Sequence, residues 1–209
     1  MVPGPSRLAT DRDWRLVSLT KSGCTPAQLT VWNVNFKRAY DECDRWREAA
    51  VARIGSEHPA LVVVGSSHPY TSAGSGGPAP SDGGQALQAG LAQMLQRLRP
   101  LATAVALIGD TPKFDTDPPD CLSQHLDHVL ACAEPRAQTV DSAWLATEAG
   151  LAAQAGATFV DPTAWACPTD PCPVVIGRYL VFRDQHHLAT PFVTALRANL
   201  VAVLPLPRG

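Results

Sequence analysis

The chain has 209 residues, 45% of them hydrophobic, which suits a substantial buried core at the upper end of ordinary domain size. Its net charge of −2 and pI near 6.3, with no Lys/Arg stripe, argue against nucleic acid as a partner. No apolar run reaches the roughly 18 residues of a spanning helix, and the opening MVPGPSRLATDRDW has neither the basic nor the apolar region of a signal peptide.

In chain order, WRLVSLT (Trp14–Thr20) is short, apolar and β-branched and is expected to be a strand. From Asn35 to Ile54 a helical stripe runs through Phe36, Ala39, Tyr40, Cys43, Trp46, Ala50 and Ile54, with Asn33 or Asn35 as cap. ALVVVGS (Ala60–Ser66) is a continuous apolar run, the mark of a strand buried on both faces. A Gly/Ser/Pro-rich loop (Thr71–Gly84) and a helix over Gln85–Leu98, stopped by Pro100, come next. TAVALIG (Thr103–Gly109) reads as a second buried strand, followed by a loop and a short helix near Cys121. A long Ala-rich helix is expected over Gln138–Gly156, with Gly156 ending it. ATFVDPT (Ala157–Thr163) is a further strand and RYLVF (Arg178–Phe182) a short edge strand; a last helix spans Thr190–Leu204, capped by Thr190 with Pro191 in its first turn. Alternation of strand and helix indicates an α/β fold with a parallel sheet, whose sites form at the carboxyl ends of the strands.

The six cysteines fall into three sequence-local pairs, Cys24 with Cys43, Cys121 with Cys132 and Cys167 with Cys172. Such pairs suit three short disulfide loops and an oxidising compartment. Six unrelated buried thiols are the alternative; the tight C-x-x-C or H-x-H spacing of zinc sites is absent. His125 and His128 lie near Cys121 and Cys132, but satisfied histidines on a surface helix are the plainer reading.

In FRDQHHLAT, Asp184 and His187 stand three residues apart, a spacing that lets a carboxylate fix the tautomer of an imidazole that takes a hydroxyl proton. His186 competes for that carboxylate with a less suitable offset. VVVGSSHPY offers Ser66 and Ser67 after a strand and a glycine, like a nucleophile turn, but Pro69 and a glycine-rich loop stand where a helix is wanted. In LIGDTPK, Thr111 occupies the serine place of a Gly-Asp-Ser, and Pro112 removes a donor N–H there.

The blocks WRLVSLTKSGCTP, YDECDRWREAAVARI, PALVVVGSSHPY, LIGDTPKFDTDPPDCL and FVDPTAWACPTDPCPVVIGRYLVFRDQHHLAT occur in this order between Trp14 and Leu200. Together they resemble the SGNH (GDSL-like) domain fused to acyltransferase-3 family membrane proteins. The resemblance implies a flavodoxin-like, three-layer α/β/α SGNH-hydrolase fold with a mostly parallel sheet in the order 2-1-3-4-5. It implies an extracytoplasmic location and transfer or hydrolysis of O-acyl groups on cell-surface glycans by a Ser-His-Asp mechanism. His187 is then the general base, Asp184 its orienter, and Gly65, Ser66, Ser67 and His68 the oxyanion and substrate side. The implied partners are an acylated or acyl-accepting glycan and the membrane acyltransferase domain; no metal and no other cofactor is expected.

In such domains a Gly-Asp-Ser-His block ends the first strand, and MVPGPSRLATDRDWRL resembles the helix after it. The expectation is therefore one domain over residues 1–209, begun after the nucleophile, without its first strand and inactive alone. Loss of a central strand would leave its neighbours about 10 Å apart, giving an unstable protein or a re-paired sheet. A non-catalytic glycan-binding module is the alternative.

Overall fold

The computed structural model describes residues 9–11, 13–33, 35–65, 67 and 84–206. In chain order it contains β1 (Trp32–Asn33), β2 (Arg38–Ala39), α1 (Asp41–Glu57), β3 (Leu61–Gly65), α2 (Gln85–Leu98), β4 (Ala104–Ile108), α3 (Pro118–Gln124), α4 (Arg136–Thr139) and α5 (Ser142–Gln154). Then follow β5 (Thr158–Val160), α6 (Thr163–Ala166), β6 (Val175–Ile176), β7 (Tyr179–Leu180), α7 (Thr190–Ala195) and α8 (Arg197–Val203). The fold is mixed α/β, with a parallel three-stranded sheet flanked by helices. The chain divides into two compact units, one holding Leu19–Asp110 and Ala146–Val160, the other Thr111–Leu145 and Asp161–Leu204.

The first unit is built on the parallel sheet β3-β4-β5, in register Val63↔Ala106 and Leu107↔Phe159. Its central strand is the most apolar and the most buried: Val105, Ala106 and Leu107 are nearly inaccessible. On α2, Leu87, Leu91, Met94, Leu95 and Leu98 recur at three- and four-residue steps and are all buried, each large side chain contributing about 1.5–3 kcal/mol. The Cys24–Cys43 disulfide ties the loop after Leu19 to α1. Beside it the buried Arg47 guanidinium donates to the carbonyls of Thr25 and Leu29 and to Asp44.

Several expected elements shift. Residues 14–20 form no strand and none of them is buried, Leu16 being 45% exposed. Polar Arg15, Ser18 and Thr20 interleave the few apolar side chains, so little surface is available to hold the segment in a sheet. The helix expected from Asn35 begins at Asp41. The Asn33 carboxamide oxygen accepts the N–H groups of Asn35 and Phe36, which closes the β1–β2 hairpin instead of opening a helix. β3 is not buried on both faces: Val64 is buried but Val63 is 41% exposed, because among the described residues β3 is an edge strand. Of the loop over Thr71–Gly84, only Gly84 lies within the described residues.

In the second unit, the helix expected over Gln138–Gly156 is interrupted. Val140 is extended (φ −116°, ψ 114°), and the Asp141 carboxylate accepts the Trp144 N–H, capping α5 afresh. The C-terminal helix likewise breaks at Leu196 into α7 and α8. RYLVF is not one strand: Tyr179 and Leu180 pair in the hairpin β6–β7, Val175↔Leu180, and Phe182 makes a separate bridge to Leu188. The disulfides Cys121–Cys132 and Cys167–Cys172 both lie in this unit. Arg136 joins its parts, donating from the guanidinium to the Cys167 carbonyl and Thr163 Oγ1 and from the backbone to Asp170.

Candidate functional site

The turn carrying Asp184 and His187 is a small closed structure. Phe182 and Leu188 form an antiparallel bridge, and the Arg183 N–H donates to the His187 carbonyl at 2.9 Å. Phe182 anchors the turn: it is fully buried, its ring centroid 4.8 Å from that of buried Phe114. Within the turn, Asp184 Oδ1 accepts the backbone N–H groups of His186 at 3.0 Å and His187 at 2.7 Å. The same carboxylate meets the His187 ring, Nδ1 lying 2.8 Å from Oδ2 and 3.0 Å from Oδ1.

Partial burial pushes the Asp184 carboxyl up, but the His186 and His187 amides and the His187 ring together outweigh it and hold the group below the usual aspartate range. Asp184 is therefore ionised at neutral pH and accepts from the His187 ring. The His187 side chain is 52% exposed, and among the described residues its Nε2 has no hydrogen-bond partner. His186, the competing base, has its Nδ1 3.7 Å from Asp184 Oδ1, beyond hydrogen-bond reach; its ring centroid lies 4.1 Å from that of His187, the planes tilted by 42°.

A strap over residues 111–116 holds the turn in place. Thr111 Oγ1 donates to the His186 carbonyl at 3.0 Å, the Phe114 N–H to the Gln185 carbonyl at 2.8 Å, and Gln185 Nε2 to the Asp115 carbonyl at 2.6 Å. The strap is anchored in turn by the Glu134 carboxylate, which accepts the N–H groups of Asp115 and Thr116. Glu134 pairs through its backbone with Cys172, half of the Cys167–Cys172 disulfide. Thr111 is thus a strut rather than the counterpart of a nucleophilic serine. Sequence reasoning passed over Gln185 and Glu134; no spacing or composition signal marks them.

Of the residues expected on the oxyanion and substrate side, Gly65 and Ser67 lie in the sheet-bearing unit. Gly65 ends β3 and is exposed, as is Ser67; Ser66 and His68 fall outside the described residues. The Gly109 N–H extends the β4–β5 pairing to the Val160 carbonyl at 2.9 Å, and the Asp110 N–H donates to Glu148 Oε2 at 3.1 Å. Glu148 is entirely buried; as the lone charge in SAWLATEAGLAAQ it was readable from the sequence. His125 and His128 occupy the turn after α3. Among the described residues, the group able to present three metal-ligating atoms is Asp184, His186 and His187, one atom from each lying within 4.8 Å of the others. No helix among them is long and apolar enough to cross a membrane.

A family model described as "SGNH domain (fused to AT3 domains)" matches residues 1–201. No curated protein matches the chain. Among solved structures, the periplasmic domain of the lipopolysaccharide acetyltransferase of Salmonella ser. Paratyphi A is similar, with a TM-score of 0.73 at 14% identity over 96% of this chain and 77% of that one.

Proposed function

The chain belongs to the SGNH domain family fused to AT3 domains, and from that premise we propose that it is the extracytoplasmic part of a membrane O-acyltransferase or esterase acting on cell-surface glycans. His187 is the general base and Asp184 its orienter. Gly65, Ser66, Ser67 and His68 belong to the oxyanion and substrate side. The three disulfides and the lipopolysaccharide acetyltransferase named above support an oxidising, periplasm-like compartment and a glycan acceptor. The family's membrane acyltransferase domain is the partner that delivers the acyl group.

The observation that carries this reading is the hydrogen bond between His187 Nδ1 and Asp184 at 2.8 Å, which leaves the lone pair on Nε2 of a half-exposed side chain. In that tautomer Nε2 takes the proton of a nucleophilic serine as its oxygen attacks the acyl carbonyl, and returns it to the departing group of the donor as the acyl–donor bond breaks. The acyl-enzyme is then resolved by a glycan hydroxyl or by water, activated by the same nitrogen. The ionised Asp184 stabilises the imidazolium at each step.

The test compares nitrophenyl acetate turnover by this chain with turnover by the same chain joined to an upstream Gly-Asp-Ser segment. Turnover only in the longer form, abolished by His187→Ala, is the expected result. Full activity in the longer His187→Ala protein would refute the assignment. Saccharide binding without turnover in either form would favour a glycan-binding module. Fluorophosphonate labelling mapped to Ser66 or Ser67 would move the nucleophile there.

A further inference from the structure

We propose that Asp184, His186 and His187 form a binding site for a divalent transition-metal ion such as zinc, and that the ion silences the acid–base pair instead of assisting it. Ligand atoms around a tetrahedral zinc stand about 3.3–3.5 Å apart when each is about 2.0–2.2 Å from the metal. Here His187 Nδ1 is 3.0 Å and His186 Nδ1 3.7 Å from the same Asp184 Oδ1. The two nitrogen–oxygen separations bracket the required value, and one ligand atom from each of the three residues lies within 4.8 Å of the others, so side-chain adjustments on the order of 1 Å would complete the coordination. The two imidazole rings already lie side by side, their centroids 4.1 Å apart.

All three side chains reach solvent, at 35%, 35% and 52% exposure, so an ion can enter and water can fill the fourth position. Two imidazoles and one carboxylate suit zinc, nickel or copper, not magnesium or calcium. Arg183, whose Nε is 3.7 Å from Asp184 Oδ2, is the competing cation; its side chain is 61% exposed and free to swing away.

The consequence follows from the tautomer. Without metal, Nδ1 of His187 carries the proton and donates it to Asp184, and Nε2 is the base. An ion that coordinates Nδ1 takes that lone pair, so the ring's one proton sits on Nε2. The ring then has no lone pair to offer a serine hydroxyl. This silencing rests on the role proposed above for His187; ion binding itself rests only on the three ligand atoms.

Titration of the protein with zinc chloride, followed by calorimetry and by two-dimensional 15N spectra of the histidine rings, tests both halves. The expected result is saturable one-to-one binding, no binding of magnesium chloride, and conversion of His187 from the Nδ1–H to the Nε2–H form. His186→Phe keeps an aromatic ring without a donor nitrogen and should weaken zinc binding at least about tenfold; His186→Ala should do the same, and a His125→Ala, His128→Ala protein should bind as the parent does. Unchanged affinity in His186→Phe, or no saturable binding below 1 mM zinc, would overturn the site. If zinc binds as expected but His187 is already Nε2–H in the metal-free protein, the ion site stands and the base assignment fails.

Discussion

Replacing Gly90 by alanine should destabilise the protein, against the usual direction for a helix. Within α2, alanine ordinarily gains about 1 kcal/mol over glycine by restricting the unfolded chain. At this position, however, a Cβ would stand 2.9 Å from the backbone nitrogen of Gln28, 3.0 Å from its oxygen and 3.1 Å from its carbonyl carbon. These are main-chain atoms and cannot rotate away. The Gln28 N–H also donates to the Gly90 carbonyl at 2.9 Å, so opening the contact by about 0.5 Å stretches that bond and forfeits about 1 kcal/mol. Overpacking adds about 1–3 kcal/mol, leaving a net loss of about 1–3 kcal/mol. Gly150 in α5 is the control: nothing lies within 4 Å of its Cβ position, and Gly150→Ala should gain about 0.5–1 kcal/mol. Urea unfolding of the oxidised proteins, followed by circular dichroism, measures both. A Gly90→Ala protein as stable as its parent, alongside the expected gain at Gly150, would refute the close-approach argument.

Acid should loosen the Asp184 turn. The folded-state carboxyl lies below its ordinary range, so its contribution is complete above the unfolded aspartate range and is lost as pH falls through the lower folded value; carboxyl NMR shifts of Asp184 should titrate below those of an unperturbed aspartate, and Asp184→Asn should flatten this part of the acid limb. Replacing Cys121 and Cys132 by serine should cost about 3 kcal/mol, from the entropy of a loop with a sequence separation of 11, read by thermal melting. Arg47→Ala strands the carbonyls of Thr25 and Leu29 and should cost about 2–3 kcal/mol in urea unfolding.

What was legible in the sequence is what local chemistry decides. The helix expected over about Gln85–Leu98 forms there, with Leu87, Leu91 and Leu95 recurring on its buried face and Pro100 just beyond it. The start of α1 was misplaced because Phe36, Ala39 and Tyr40 fit a helical stripe equally well, while the outcome turned on the Asn33 side chain preferring its neighbours' amides. The interruption at Val140 had a readable sign, a β-branched residue before Asp141 and Ser142, but the alanine-rich run around it outweighed that sign. The Asp184–His187 pair was legible because both residues belong to one turn. Its supports were not: Gln185 reaches across 70 residues to Asp115, and Thr111 across 75 to His186. Partners so distant leave no periodicity or spacing to read.

Because Asp184 and His187 are carried by four consecutive residues, their mutual geometry is a property of a single bend in the backbone. Drift elsewhere in the molecule can re-aim the imidazole without dismantling the pair. Alignment and assembly are thus separately adjustable: changes in residues 111–116 would tune where the ring points, while the proton-handling module itself travels intact.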